Sequence, residues 1–366
     1  MRQPPRSRMD TFDILKQLTE TPGPSGYEQP IAEAIRTLWQ PLADEVFVDR
    51  LGSLLALKKG SGAEPRPRLL LAAHMDELGL MVTQLVEHGG YGFLRTLPLG
   101  GVDRRQLYGQ LAVVHGKRPL KGIIGALPSS MLPEERRDGA YGYDDLMVDV
   151  GLPMTELESL VSVGDVVTFH QPLRKLQGKR VTGKALDNRA SVTAVTVCLE
   201  ALQGRVHQWD VVAVATVQEE VGLVGAYTAT FAQNPDAAIA IDVGFGKGPG
   251  ANGYETFELG GGPMIGFGPN VHPGMFKGLK EAASALEMTV HTEPHSRYSG
   301  TDAMATHITR AGTPTGLVSM PLRYMHTMVE SADLTDIERC GRLLAEFIVR
   351  LEPDFIATLT EEMMAS

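Results

Sequence analysis

The apolar positions of this chain follow two different periods. Leu69–Ala73, the run that opens VVAVATV at Val211, Ala237–Ile241 and Leu317–Met320 are unbroken stretches of aliphatic and small residues. That is the pattern of strands buried on both faces, since a strand with one wet face would alternate. Between these runs the spacing changes to three and four. Ile31, Ile35 and Leu38 mark a helix from Glu28 to about Trp39, with Ser25 and Glu28 at capping-box spacing. Further helices are predicted over Phe12–Leu18, from Asp187 through Leu199 and Leu202, over about Pro273–Leu286, from Asp302, and over about Leu334–Leu351. Val46–Asp49 and Leu54–Lys58 read as a hairpin, and Met288–His291 as another strand. Strands alternating with helices predict an α/β fold with a mixed sheet flanked by helices.

From about Leu78 to about Leu176 the texture is different. Gly79–Leu85, Phe93–Leu97, Leu111–His115, Lys121–Leu127 and Val166–Phe169 are short alternating runs separated by Gly, Pro and charged turns. They predict a small β-barrel or sandwich of about 100 residues, an ordinary domain size. Residues 78–176 are therefore expected to form a β-domain inserted into a catalytic domain made of 9–77 and 177–366, with 1–8 as a disordered start.

Composition narrows the function classes. The 366 residues are 43% hydrophobic, enough for a sizeable core, and 34 Lys+Arg against 44 Asp+Glu leave a net charge of −10. With no basic stripe, nucleic acid is not an expected partner. No apolar run approaches the length of a membrane span, and the start MRQPPRSRMD lacks the apolar core of a signal peptide. No membrane partner and a cytoplasmic location are expected. Cys198 and Cys340 are too few for a disulfide framework or a Cys-type zinc site, and read as small buried apolar residues.

The apolar runs end in charge. Leu69–Ala73 leads into His74, Asp76 and Glu77; the run from Val211 stops at Glu219 and Glu220; Ala237–Ile241 stops at Asp242; the loop after Met320 carries His326; and Asp187 opens a helix. In open α/β sheets ligands bind at the carboxyl ends of strands. A Glu-Glu pair alone is by default a solvated turn, but here several strand ends finish in metal-ligand residue types. Two His and several carboxylates without Cys make an N/O donor set suited to zinc, cobalt or manganese. One ion needs three or four of them. Two ions about 3.5–4 Å apart, bridged by a carboxylate and a water, would use the set fully and serve amide or phosphate hydrolysis. The surplus acid then becomes a general base. Asp76 lies two residues beyond His74, so in extended backbone both side chains share a face and Asp76 can accept from the imidazole N–H.

GPSGYE, AHMDELG, GKALDNRA, QEEVGLVGA, Asp242, SGTDA and PLRYMHT occur in that order from Gly23 to His326 and the threonine after it. In this ordered set the chain resembles the M42 family of metallo-aminopeptidases, within the dinuclear zinc exopeptidases. The resemblance implies a zinc exopeptidase-like domain carrying the inserted barrel, and removal of N-terminal residues from peptide substrates through a metal-bridging water. Glu219 would be the general base. Asp187 would bridge two divalent ions, zinc first with cobalt or manganese as alternatives; His74 and Asp242 would complete one site, Glu220 and His326 the other. Asp76 would be the second catalytic residue, orienting His74, and Thr301, Asp302 and the loop Ser296–Gly300 would line the substrate cleft. Relatives build tetrahedral shells, often dodecamers, through such insertions, so a homo-oligomer is expected.

Rival readings remain open at this level. A related dinuclear N-acyl amino acid hydrolase would use the same ligands. Family members have been labelled endoglucanases, but a glycoside hydrolase needs two carboxylates and generally no metal, which leaves five ligand-type residues without a task. A scaffold protein without catalysis sits poorly with the retained Glu219. His88, His115, His170 and His207 fall where surface is the default, and His272, His291, His295 and His307 lie outside the ligand pattern. The sixteen methionines read as core fillers. Arg323 suits either a substrate carboxylate or a structural ion pair. Two departures from the family pattern, Ser191 after Asn-Arg-Ala and LPSSM at Leu127–Met131, touch no expected ligand.

Overall fold

The computed structural model describes residues 10–359, so the expectation for 1–8 lies outside the described residues. Helices α1 (Thr11–Glu20) and α2 (Gln29–Trp39) precede the hairpin of β1 (Glu45–Val48) and β2 (Leu54–Lys58), and β3 (Arg68–His74) follows. The chain then builds β4 (Gly79–His88), β5 (Tyr91–Leu99), β6 (Leu111–His115), β7 (Pro119–Gly125), β8 (Met147–Pro153), α3 (Met154–Leu160) and β9 (Val166–Phe169). It returns through β10 (Arg174–Lys175) and β11 (Arg180–Gly183) to α4 (Leu186–Ala201), β12 (Asp210–Thr216), α5 (Val224–Gln233) and β13 (Ala237–Phe245). The last elements are β14 (Met264–Phe267), α6 (Pro273–Ala285), β15 (His291–Pro294), α7 (Asp302–Ile308), β16 (Thr315–Leu322), β17 (Glu330–Asp333) and α8 (Leu334–Val349).

Among the described residues, eight strands form one mixed sheet in the order β1-β2-β12-β3-β13-β16-β14-β15. Its middle is parallel, with Thr216 of β12 opposite His74 of β3, and Asp242 of β13 opposite Ser319 of β16. This placement accounts for the unbroken apolar runs. Leu69, Leu71, Val211, Ala213 and Ile239 pack on one face with side chains of α4 and α8, while Leu70, Ala72, Val212, Val214 and Ala238 pack on the other with Ala229 of α5. Cys198 and Cys340 lie in the first layer, buried as expected, and burial pushes both thiols well up.

Strands β4, β5, β8, β7, β6 and β9 close into a barrel in that order. Their alternation turns Leu80, Val82, Leu94, Val114, Ile124 and Val148 into its own core. Closure decides between the two all-β forms open in the sequence, because only a barrel leaves no strand edge unpaired.

Four local expectations are corrected. The strand read at Met288–His291 starts at His291, where pairing with β14 begins opposite Met264, and it carries Glu293 into the sheet. Asp242 lies within β13, not after it. The capping box at Ser25 and Glu28 does not form: Ser25 Oγ donates to Asp76 Oδ2 at 2.6 Å, and Glu28 Oε1 accepts from the N–H groups of Gly26 and Gln218. A hydrogen bond to an ionised, buried carboxylate is the stronger alternative to a helix cap. His207 is buried, with Nδ1 2.8 Å from the Trp209 carbonyl, and is not a surface residue.

Candidate metal centre

Parallel strands that stop together deliver the ligand-type side chains to one place. β3 ends in His74, β12 runs out to Glu219 and Glu220, and Asp242 stands near the end of β13. Asp187 lies in the first turn of α4, and His326 in the loop between β16 and β17. His74 Nε2 is 3.1 Å from Asp187 Oδ1, and His326 Nε2 is 3.3 Å from Asp187 Oδ2, so each oxygen of one carboxylate faces a different imidazole. Glu220 Oε2 is 3.7 Å from His326 Nε2, and Glu219 Oε2 is 3.9 Å from His74 Nε2. Ligand atoms of His74, Asp187 and Asp242 lie within 4.8 Å of one another, and so do those of Asp187, Glu220 and His326. His74, Glu219 and Glu220 form a third such group.

The backbone around these groups is unusual. Ala185, Gln218, Leu223, Tyr324 and His326 are non-glycine residues at φ 55, 55, 60, 60 and 61°. Left-handed residues of this kind tend to persist where a site requires them, because the surrounding structure must hold them there. Part of that holding is visible. Asp76 is fully buried, with Oδ1 3.3 Å from His74 Nδ1, although this contact is not aligned as a hydrogen bond. It accepts from the backbone N–H of Glu219 at 3.0 Å and of Glu220 at 3.2 Å, so it supports the Glu-Glu turn as well as facing the imidazole.

Glu330 is a supporting residue that the sequence did not single out. It is 2% exposed, its Oε2 accepts from Asp187 N at 3.1 Å, and its Oε1 accepts from His326 N at 2.9 Å. The only trace in the sequence is an acid starting a short run of small residues, VESAD. The barrel also reaches the centre. A Cβ at Gly101, just past β5, would lie 3.2 Å from His326 Nδ1, and one at Gly100, where φ is +80°, would lie 3.2 Å from Glu220 Cβ.

Crowded, buried acids dominate the electrostatics. Burial and then the charges of Asp242, Asp302 and Glu220 push Glu219 up to about 10, against the pull of His74. Burial and Asp187 push Glu220 up to about 7, and burial raises Asp242 well above the carboxylate range. His326 is raised to about 9 by its contact with Asp187. His74 is raised although burial opposes its charge, because Glu219, Asp187 and Asp76 outweigh it; Asp187 is lowered despite burial by the two imidazoles. Such a cluster calls for positive charge. Glu220 Oε1 is buried without a hydrogen-bond partner among the described residues. The N/O donor set and this orphaned oxygen fit divalent metal ions.

A cavity of about 510 Å³ opens over the cluster. Ser299, Gly300 and Thr301 line it as expected, but Ser296 and Arg297 do not, and Asp302 lies beneath it with Oδ2 accepting from Thr216 Oγ1 at 2.6 Å. Among the described residues no Lys or Arg lines this cavity. Lys184 pairs with Glu77 at 2.5 Å, Arg189 donates to the Leu18 and Thr21 carbonyls, and Arg323 donates to the Lys247 carbonyl, so these cations are structural. A larger cavity of about 680 Å³, lined by Tyr27, Arg36 and His115, contains none of His74, Asp187, Glu219, Glu220, Asp242 and His326.

Residues 52–343 match the family model for M42 glutamyl aminopeptidase. The chain belongs to the M42 aminopeptidase family. This M42 protein is accordingly a peptide-bond hydrolase. It is 36% identical to the lysyl aminopeptidase of Pyrococcus furiosus over 350 residues, covering 94% of this chain and 99% of that one. Its structure is similar to a TET aminopeptidase from a marine sediment archaeon of the Thaumarchaeota, at 33% identity and a TM-score of 0.88 over 95% of this chain and 98% of the other. It is also similar to the Pyrococcus horikoshii TET1 peptidase, which assembles into a tetrahedron or a large octahedral shell, at 31% identity and a TM-score of 0.80, covering 93% and 100% of the two chains. No helix among the described residues is long and apolar enough to cross a membrane.

Proposed function

We propose that this M42 protein is a dinuclear metal-dependent aminopeptidase that releases single residues from the free amino end of peptides. The observation that carries this reading is the position of Asp187 in two ligand triads, with Glu219 a member of neither and 3.9 Å from His74. Asp187 would bridge two ions, His74 and Asp242 would complete one site, and Glu220 and His326 the other. Zinc suits this borderline donor set best, with cobalt or manganese as alternatives. When bound, the two ions polarise the scissile carbonyl and make water nucleophilic at neutral pH.

The chain's own side chains do the rest. Glu219 takes a proton from the attacking water and returns it to the leaving amine. Glu219 must be ionised to act as the base, and bound cations beside it would favour that form over the protonated one that burial and neighbouring acids favour. Asp76 keeps the Glu219 turn and the His74 ring in place through the contacts already described. Among the described residues the cavity is lined by several acids and by no Lys or Arg, which suits a cationic amino terminus better than a substrate carboxylate. The test compares kcat/KM for one peptide with a free and with an acetylated N-terminus. Acetylation should slow cleavage greatly, and equal values would assign the centre to N-acyl hydrolysis.

The barrel presents Leu97, Leu111, Leu127 and Met131 to solvent. With the assembly known for the horikoshii relative, these exposed side chains support a homo-oligomer formed through the barrel. Sedimentation that finds a monomer at working concentrations would overturn this.

A further inference from the structure

A second cavity lies where the barrel meets the mixed sheet. Its volume of about 680 Å³ is in the range of small-molecule sites, and it shares no lining residue with the cavity over the metal centre. Pro24, Pro30, Val48, Leu51, Val166 and Val217 give it apolar walls. Arg36 Nε lies 3.2 Å from Glu33 Oε2, and burial lowers the His115 pKa, which favours the neutral imidazole. Glu28 and Asp165 therefore leave the cavity negative.

Glu28 is the group that points to a ligand. It is 5% exposed, lines the cavity, and makes its hydrogen bonds through Oε1, accepting from Gly26 N at 2.8 Å and from Gln218 N at 3.1 Å, so that Oε2 has no partner among the described residues. A nearly buried carboxylate oxygen without a donor is unfavourable until a donor arrives. Apolar walls around such an oxygen, in a cavity with excess negative charge, match a protonated amine on an apolar body.

The same wall supports the Glu-Glu turn of the metal centre. Gln218, at φ 55°, directly precedes Glu219 and Glu220. Three residues before Glu28, Ser25 Oγ donates to Asp76, which in turn accepts from the N–H groups of Glu219 and Glu220. The loop from Pro22 to Glu28 thus faces the cavity on one side and holds that turn on the other. A ligand that orders this loop keeps those contacts in place, which couples the two sites.

We propose that this cavity binds a small organic amine and that its occupancy tightens the metal centre through Glu28 and Ser25. The coupling rests on the metal-dependent reading; the binding does not.

The first measurement titrates phenethylamine into the zinc-loaded full chain by calorimetry, with phenylpropionate, of similar body and opposite charge, as the comparison. We expect the amine to bind and phenylpropionate not to. Leu51→Trp, which fills the cavity from the hairpin, should remove the binding, and Glu28→Gln should weaken it by about 10-fold or more, the scale of a hydrogen bond to a charged group. No binding at millimolar concentration overturns the proposal, as does equal binding of phenylpropionate. Undiminished binding in either variant assigns the amine elsewhere and overturns it too. The second measurement titrates zinc into stripped protein against a chromophoric chelator, with and without phenethylamine. Zinc affinity should rise by about 5-fold or more in the wild type, the lower end of ordinary allosteric couplings, and should not respond to the amine in Leu51→Trp. An unchanged or reduced zinc affinity in the wild type overturns the coupling. If zinc binds in neither condition, the metal-dependent reading itself fails and the coupling falls with it.

Discussion

Glu330→Gln should weaken the metal centre although Glu330 is not one of the expected ligands. Its two oxygens each hold one backbone N–H, from Asp187 at 3.1 Å and from His326 at 2.9 Å, which links the carboxylate shared by two triads to an imidazole of the second. Gln has a single acceptor oxygen, so one of the two amides must face a donor. In the metal-free cluster, burial and the Asp187 charge push the Glu330 pKa well up, and Gln imitates that protonated form. The difference between the two side chains therefore emerges when cations at the centre favour ionised Glu330. A hydrogen bond to a charged acceptor is worth about 1.5–3 kcal/mol. At about 1.4 kcal/mol per tenfold, that corresponds to metal binding weaker by about 10- to 100-fold, in line with what partners of metal ligands are worth elsewhere. The assay titrates zinc into stripped wild type and variant against a chromophoric chelator, with circular dichroism to establish that the variant is folded. Wild-type zinc affinity in a folded Glu330→Gln protein would refute the idea that this carboxylate holds the two ligands in place.

Glu219→Gln should retain both ions while kcat falls by about 10²–10⁴-fold; full turnover with normal metal content would give the base role to another group. The stripped protein should lose thermal stability as pH rises from about 5 to 9. Glu220, at about 7 against its usual 4.5, and His326, at about 9 against its usual 6.5, both hold protons more tightly when folded. Through that window the native state binds more protons than the unfolded one, so raising the pH lowers stability. Melting curves in chelator check this, and a melting temperature that climbs across the window would contradict it. Gly101→Val should reduce metal content and activity together, about tenfold in affinity by analogy with other supporting contacts, because its side chain meets His326 Nδ1. Metal analysis showing full occupancy in a folded variant would argue against that contact.

The sheet was readable because strands covered on both faces carry no polar alternation to disguise them, as Leu69–Ala73 and the run from Val211 illustrate. The barrel was readable as a β-rich insertion from its alternating runs, but its closure was not. Closure depends on Leu80 pairing with Val167, residues at opposite ends of the insertion. The ligand-type residues stood out because a charged side chain at the end of a buried run is itself a local signal, and the structure brings His74, Asp187, Glu219, Glu220, Asp242 and His326 together. Their supporting residues carry no such signal. Glu330 acts on two backbone N–H groups from distant parts of the chain, and Ser25 abandons a plausible cap for Asp76. Glu293 fell outside the run read as a strand at Met288–His291; parallel pairing with β14, which only the assembled sheet supplies, makes it a strand residue.

The glycines at 100 and 101 give the barrel a say in the chemistry of the other half of the molecule. The two residues just past β5 pass so close to Glu220 and His326 that a Cβ on either would come within 3.2 Å of them. If copies join through the barrel, whatever displaces it on joining is felt at once by two residues of the second triad. Coupling of this kind is reciprocal: a factor by which association tightens the grip on metal is the same factor by which metal tightens association. Chelation would then double as a way to dismantle the assembly, and dilution as a way to empty the centre.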